Sequence, residues 1–398
     1  MKIFAQTGLQ SGDKVISGLN SEVLDGVIFT ARNANPQKAG EQIAKARSMD
    51  DQAEVLLDPE FYATRLIGTP NSQLGSLEEW DYFISYRRRD LVRTQVVENV
   101  LQSVRDAVSG LDVTAHIAPN IYISQSFDSM EAGIALNFIE RTKAVFEAKD
   151  KPVYATLALD RRALLSPGDF KPFINDLTGL ENPPDGFYLL IGGGPISERS
   201  DVAQSELMDA NVIAGWMMLN HALSQNGLRV VNGFADLLSP FLAVAGSHAS
   251  ATGWWSTLRT FTMGRYVRSD RAGGQLPIIR YVSKLLMNRI KIDERYAYAQ
   301  ALPAIVNNLP LDSDYDNGTP SRTVEAMQTW EALASLNRDV VKGDINSSLV
   351  SLKRGIKRAK DGYDQLRVEN ITEGYEAAAE YLDQLDGGIE AFKKLAEL

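Results

Sequence analysis

The chain has 398 residues, 44% of them hydrophobic and 23% charged, which fits a folded globular protein rather than a disordered or fibrous one. It has no cysteine and only three histidines, which excludes disulfides, thiolate zinc sites, iron–sulfur clusters and cysteine nucleophiles and nearly excludes a histidine-rich metal centre. With 41 basic against 51 acidic residues the net charge is −10, so any nucleic acid must bind at a local basic patch.

Lys2–Thr7 is the first of eight short runs of apolar and β-branched residues bounded by Gly, Pro, Asp or Asn. The others are Gly26–Thr30, Glu54–Leu57, Val113–Ala118, Val153–Leu159, Gly186–Ile191, Leu228–Val231 and Phe241–Ala245. Helical patterns separate them. Asn35-Pro36 opens one that continues to Ala46, and Asp90–Val108, Met130–Ala148 and Val202–Ser224 carry apolar residues at three- and four-residue spacings. Strands apolar on both faces, alternating with helices, predict a (β/α)8 TIM-like barrel over residues 1–260. A basic, irregular to helical insertion follows over 261–322, then a C-terminal helical extension over 323–398. That extension reads as a solvated amphipathic appendage, with docking of a protein partner or a second copy as the alternative. No apolar run approaches the roughly 18 residues of a membrane helix, and no long apolar leader is present, so a cytoplasmic protein is expected.

In a barrel the chemistry sits at the C-terminal strand ends and the loops that follow. The polar residues there are Gln6, Thr7, Thr30, Arg32, Asp58, Glu60, Asn120, Asp160, Glu198, Asn232 and Asp236. Asp58 comes first among them, because a carboxylate at the mouth of a buried strand is poorly hydrated and its proton affinity rises into a useful range. The competing reading of Asp58-Pro59 is a strand-end turn. Asp160 and Glu198 are the other well-placed carboxylates. Gly192-Gly193-Gly194 leaves a strand end with bare backbone that could meet a planar base or a phosphate, but it matches neither a dinucleotide fingerprint nor a Walker loop.

Residues 254–291 carry Arg259, Arg265, Arg268, Arg271, Arg280, Lys284, Arg289 and Lys291 against Asp270 alone, with Trp254, Trp255, Phe261, Tyr266 and Tyr281 interleaved. Arginine offers bidentate phosphate contacts and the rings offer stacking, which points to DNA or RNA; the alternative is pairing with acids elsewhere. His116, inside an apolar strand, reads as a core residue. His248 lies near the predicted eighth strand end, where it would be a candidate base.

The order of these segments resembles the tRNA-guanine transglycosylase superfamily. Asp58-Pro59-Glu60-Phe61-Tyr62 stands where that family has its Asp-Ser-Gly-Gly-Phe-Gln strand end. Gly192–Glu198 is similar to its base-binding loop, and Asn232–Leu238 with Ala243–Gly246 to the helix before its last strand. Trp330–Tyr363 is similar to its closing helix pair. The resemblance spans roughly residues 50–360. It implies a barrel acting on a nucleobase or glycosidic bond, with Asp58, Asp160 and Glu198 in catalysis, Gly192–Gly194 and Phe61 against a base, and Arg259, Arg265, Arg268 and Arg271 on nucleic acid. The family's zinc motif is absent, and no carboxylate lies in Gly246–Arg259, where its nucleophile would fall. No metal and no cofactor are therefore expected. The alternative is a non-catalytic barrel, a subunit of a larger nucleic-acid-processing or defence assembly.

Overall fold

The computed structural model describes residues 1–9, 12–147, 151–194, 207–268, 278–316, 318–369 and 375–398, with 167 and 375–379 described through their backbone alone. The strands are Lys2–Gln6 (β1), Gly26–Thr30 (β2), Glu54–Asp58 (β3), His116–Ala118 (β4), Tyr122–Ile123 (β5), Val153–Asp160 (β6), Gly186–Gly192 (β7), Arg229–Asn232 (β8) and Ala249–Thr252 (β9). They form one parallel sheet in the order β3-β2-β1-β9-β8-β7-β6-β4, with β5 also on β6. The two ends of that order meet. Thr114 N–H donates to the Val55 carbonyl at 2.8 Å, and its Oγ1 accepts from the Val55 amide at 2.9 Å. The result is a nearly closed barrel of eight parallel strands with helices between them, as the strand–helix alternation predicted.

One predicted strand is corrected. Phe241–Ala245 belongs to a fully buried helix, Ser239–Val244, and the eighth strand is β9. A five-residue apolar run fits a buried strand and a buried helical turn equally well, and Pro240 in the first turn favours the helix. The shift relocates His248. It precedes β9, so it lies at the N-terminal end of the barrel, where its Nε2 is 2.8 Å from Glu54 Oε1. It is not at the mouth.

The ring of helices is Gly12–Asn20 (α1), Pro36–Met49 (α2), Thr94–Val108 (α3), Met130–Phe146 (α4), Pro167–Thr178 (α5), Ala210–Gln225 (α6), Ser239–Val244 (α7) and, after an insertion, Arg322–Val340 (α9). α9 packs on α1, α7 and β1, and its Trp330 donates to the Thr252 carbonyl at 3.0 Å. The insertion holds an antiparallel hairpin, Arg280–Ser283 (β10) with Asn288–Lys291 (β11), and the helix Ile292–Ala301 (α8). Ile345–Val368 (α10) and Tyr375–Ala396 (α11) close the chain, α11 lying along α6. Leu382, Leu385, Ile389 and Phe392 are fully buried there, so the helical end is fixed to the barrel rather than solvated around its circumference. No helix among the described residues is long and apolar enough to cross a membrane.

The N-terminal end of the barrel is held by a charged cluster. Lys2 Nζ donates to Glu54 Oε1 at 2.6 Å beside His248. Burial pushes the Glu54 pKa up, but the hydrogen bonds from His248 and Lys2 outweigh it and hold it at about 2. A depressed carboxylate stabilises the fold above its unfolded pKa, and that contribution disappears as pH falls through the folded value. Parent protein should therefore lose more stability than Glu54→Gln between about pH 4.5 and 2. The expected difference is on the order of 1–2 kcal/mol, discounted for solvent screening, read from urea unfolding across that range.

Candidate active site

β3 ends on Asp58, which is fully buried. The chain then turns through Pro59 to Glu60, whose φ of +51° lies in the left-handed region. That turn brings Glu60 back over the strand end. Its own amide donates to Asp58 Oδ1 at 2.8 Å, and its side chain accepts from the Arg32 amide at 2.7 Å and from the Tyr266 hydroxyl at 2.6 Å. Tyr62 donates to Asp58 Oδ2 at 2.8 Å, and the Tyr266 and Tyr62 hydroxyls are 3.5 Å apart. A buried cluster thus gathers Asp58, Tyr62, Tyr266 and Glu60. Tyr82 braces it from outside by donating to the Pro59 carbonyl at 2.8 Å. Phe234 and Asp236, in the loop after β8, also adopt positive φ, +56° and +41°. Three of the nine left-handed non-glycine residues among the described ones thus lie at two strand ends of the mouth, where strain of this kind holds side chains in set positions.

The guanidinium of Arg265 lies 4.9 Å from the Phe234 ring centroid and 5.6 Å from that of Tyr266, and Arg32 lies 5.2 Å from Tyr266. Several polar atoms around the barrel interior are shut off from water with no hydrogen-bond partner among the described residues. They are Arg265 Nε and Nη1 and both amide atoms of Gln6. Buried groups of this kind are uncommon in folded proteins and are concentrated where function demands them.

Burial, then the neighbouring Glu60 carboxylate, pushes the Asp58 carboxyl up to about 7, against the lowering effect of the Glu60 amide, the Tyr62 hydroxyl and Arg265. Burial and the carboxylates raise Tyr62, Tyr188 and Tyr266 well above the usual phenol range. Burial works against the charge of Arg265, but Tyr266, Glu60, Tyr62 and Asp58 raise its pKa. The site therefore holds an acid that exchanges its proton near neutrality, hydroxyls that stay protonated, and guanidinium groups that stay charged. Tyr62→Phe removes a donor to the Asp58 carboxylate. It should move the Asp58 titration above 7 and cost about 1–2 kcal/mol, read by carbon NMR titration and urea unfolding.

The other sequence-derived residues are placed differently. Asp160, at the end of β6, accepts from the Tyr122 hydroxyl at 3.2 Å and from Arg162 Nε at 2.8 Å. Burial raises its pKa, but the Arg162 bonds dominate and hold it below the usual carboxylate range. Phe261 packs against the tyrosines that bond the two carboxylates, 6.1 Å from Tyr122 and 5.3 Å from Tyr62 by ring centroids, and Asp160 and Asp58 share no hydrogen-bond partner among the described residues. The main chain of Phe261 bridges to Gly192 and accepts from Gly193 N–H at 3.0 Å. A Cβ on Gly192 would fall 2.2 Å from the Tyr122 hydroxyl, so the ring's approach accounts for that glycine. Gly194 is the last described residue of the loop. Phe61 is buried and packs on Tyr86 and Phe138. Glu198 and Arg271 lie outside the described residues. Asn120 and Asn232 satisfy buried neighbours, and Asp236 pairs with Arg289 at 2.5 Å.

Much of the basic segment is committed inside the fold. Arg259 is buried, donates to the Trp254 carbonyl at 2.8 Å and lies 3.7 Å from Glu325. Lys284 pairs with Asp339 at 2.6 Å and Lys291 with Glu294 at 3.4 Å. Arg265 faces the mouth, and Arg268 is exposed. Among the described residues no three histidine, aspartate or glutamate side chains gather as a metal site. Sequence reasoning placed Asp58, Glu60, Arg32 and Gln6 at the mouth and named Tyr62 as a residue that could plug it, but it gave Tyr62 and Tyr266 no role as donors to the carboxylates and did not single out Tyr188. Tyr188 was accessible to strand periodicity, since it shares an inward face with Leu190 in β7; Tyr266 was not, because it lies in a loop far along the chain.

No protein-family model and no curated protein matches this chain. Similar solved structures include the L-talarate dehydratase of Polaromonas sp. JS666, at 11% identity and TM-score 0.33 over 73% of this chain and 58% of that one. The L-Ala-D/L-Glu epimerase of Bacillus subtilis matches at 12% and 0.31 over 73% and 60%. A dihydrodipicolinate synthase from Bacillus clausii matches at 11% and 0.32 over 96% of each chain. The chain thus spans about three fifths of the length of the first two. These neighbours are barrel enzymes and none is a tRNA-guanine transglycosylase, which corrects the resemblance drawn from the sequence. The glycine-loop backbone that the resemblance set against a base is engaged by Phe261 instead.

Proposed function

We propose that this chain is a barrel enzyme whose reaction depends on proton transfer by Asp58 at the C-terminal mouth. The supporting observation is a pair of buried carboxyls each taking a tyrosine hydroxyl, Asp58 from Tyr62 and Glu60 from Tyr266, with the two hydroxyl oxygens 3.5 Å apart and Asp58 meeting no solvent. Such a carboxyl delivers a proton in one step and takes it back in another, while the tyrosines fix its orientation and donate to developing negative charge. Arg265 offsets part of the effect of burial, so the carboxylate form is reached near neutral pH. The test is a turnover screen of small acids, sugars and nucleosides with parent and Asp58→Asn side by side. Activity present in the parent and lost in the variant supports the reading; equal activity in both removes Asp58 from the chemistry.

A second reading, a non-catalytic barrel within a larger nucleic-acid-handling assembly, is favoured by the aromatic filling of the mouth around Phe261 and by α10. There Arg354, Lys357 and Arg358 are exposed and pair with no acid among the described residues. It predicts salt-dependent binding of DNA or RNA that weakens when these three and Arg268 are changed to Glu. Binding unaffected by those changes, or absent altogether, counts against it.

A further inference from the structure

We infer that the mouth is an oxyanion seat, in which the guanidinium of Arg265, seconded by Arg32, receives a carboxylate or phosphate group of the substrate. The inference rests on the reading of the mouth as the reacting site and names the class of molecule that enters it. Three observations carry it.

The first is the state of Arg265. Its Nε and Nη1 have no acceptor among the described residues and are closed off from water, and its guanidinium instead rests against the rings of Phe234 and Tyr266. Ring faces attract a cation but satisfy none of its directional N–H groups. A planar oxyanion satisfies two at once, in the fork geometry that arginine provides and lysine does not.

The second is charge. Arg32 and Arg265 share the Tyr266 ring, close enough that each disfavours the other's charge. Opposite them stand Glu60 and Asp58, and Asp58 is close to half protonated near pH 7. The two arginines are only partly buried, and an oxyanion placed between their guanidinium groups would offset their mutual repulsion.

The third is Gln6, the last residue of β1, whose side-chain amide is also buried with neither atom hydrogen bonded. It offers both a donor and an acceptor to the uncharged polar part of a ligand in the same barrel. Arg265 comes from the loop after β9, β1 neighbours β9, and β3 supplies Asp58, so the anion and the proton-transferring group approach the ligand from different sides.

The experiment titrates inorganic phosphate and, separately, malonate into the full chain by isothermal calorimetry. The parent, Arg265→Gln, Arg32→Gln and Asp58→Asn are compared at low salt. At least one anion should bind the parent with a dissociation constant of about 1 mM or tighter, and Arg265→Gln should weaken it at least tenfold, a typical loss for a charge-assisted bond pair. Asp58→Asn should bind as tightly as the parent or more tightly, because a partial negative charge has gone. Phosphate alone identifies a phosphorylated substrate, and malonate alone a carboxylic acid. Should Arg265→Gln not fold, the parent still decides. An anion placed beside Asp58 raises its proton affinity, so binding of malonate, which is itself almost fully ionised at pH 7, in buffers of different ionisation enthalpy should show net proton uptake. Binding of neither anion, or equal binding by Arg265→Gln, overturns the inference; Arg265-dependent binding without proton uptake counts against the raised proton affinity of Asp58 alone. Anion binding that survives while Asp58→Asn leaves turnover intact would instead sink only the proton-transfer reading.

Discussion

Asp58→Asn is expected to fold, to gain stability relative to the parent above pH 7, and to lose turnover by about 10²–10⁴, the usual worth of a general acid or base. The stability part follows from the raised pKa. An unfolded aspartate ionises near 3.8, whereas burial and Glu60 hold the folded carboxyl near 7. Between those values the folded chain keeps a proton that the unfolded chain gives up. Folding is therefore favoured progressively less as pH climbs through that window, by on the order of 2–4 kcal/mol once both states are ionised. Asparagine keeps an oxygen for the Tyr62 hydroxyl and the Glu60 amide and has no charge to bury. Urea unfolding should show parent and variant close together at pH 5, with the variant about 1–3 kcal/mol more stable at pH 8. A variant less stable than the parent at both pH values would make Asp58 a turn residue holding the backbone of Glu60.

The second large effect is expected at Asp236 and Arg289. Arg289, on β11, is completely buried and donates to Asp236 Oδ1 at 2.5 Å and to the Thr329 hydroxyl of α9 at 2.8 Å. Asp236 also accepts from the Thr252 hydroxyl of β9 at 2.9 Å, with its backbone at φ +41°. One ion pair thus ties the inserted hairpin, the eighth strand and the completing helix of the ring together. Removing either partner leaves the other charged and buried. Asp236→Asn and Arg289→Met should each cost about 3–5 kcal/mol in chemical denaturation. The double variant should cost clearly less than the sum, because it leaves no orphan charge. Single losses below about 1 kcal/mol would mean that the hairpin is held by apolar packing and that the pair is incidental.

That pair also shows why the basic segment was hard to read. Counting charges along the chain finds an excess of arginine and lysine, but the partners Asp236, Glu325 and Asp339 lie before or well after the segment. Local composition carries no trace of a pairing made by the fold. The seven other strands were legible because residues buried on both faces must be apolar throughout, as in Val153–Asp160 and Gly186–Gly192. The eighth was not. Ala249-Ser250-Ala251-Thr252 is made of small residues, with Ala251 in register with Phe4 of β1, and a strand that yields space to its neighbour lacks the bulky β-branched signature. Asp58 was legible as a strand-end carboxylate. Its partnership with Tyr266 was not, since a loop some two hundred residues on supplies that ring.

Proton transfer at the mouth depends most directly on the ionisation of Asp58 itself. Carbon-detected NMR of aspartate-labelled protein, titrated from pH 3 to 9 with Asp58→Asn identifying the resonance, follows that carboxyl without any knowledge of substrate. The account predicts an inflection at about pH 7, moving higher in Tyr62→Phe. An Asp58 resonance that titrates near the ordinary value of about 4 would contradict it, since the carboxyl would then be a fixed anion at neutral pH with no proton to transfer.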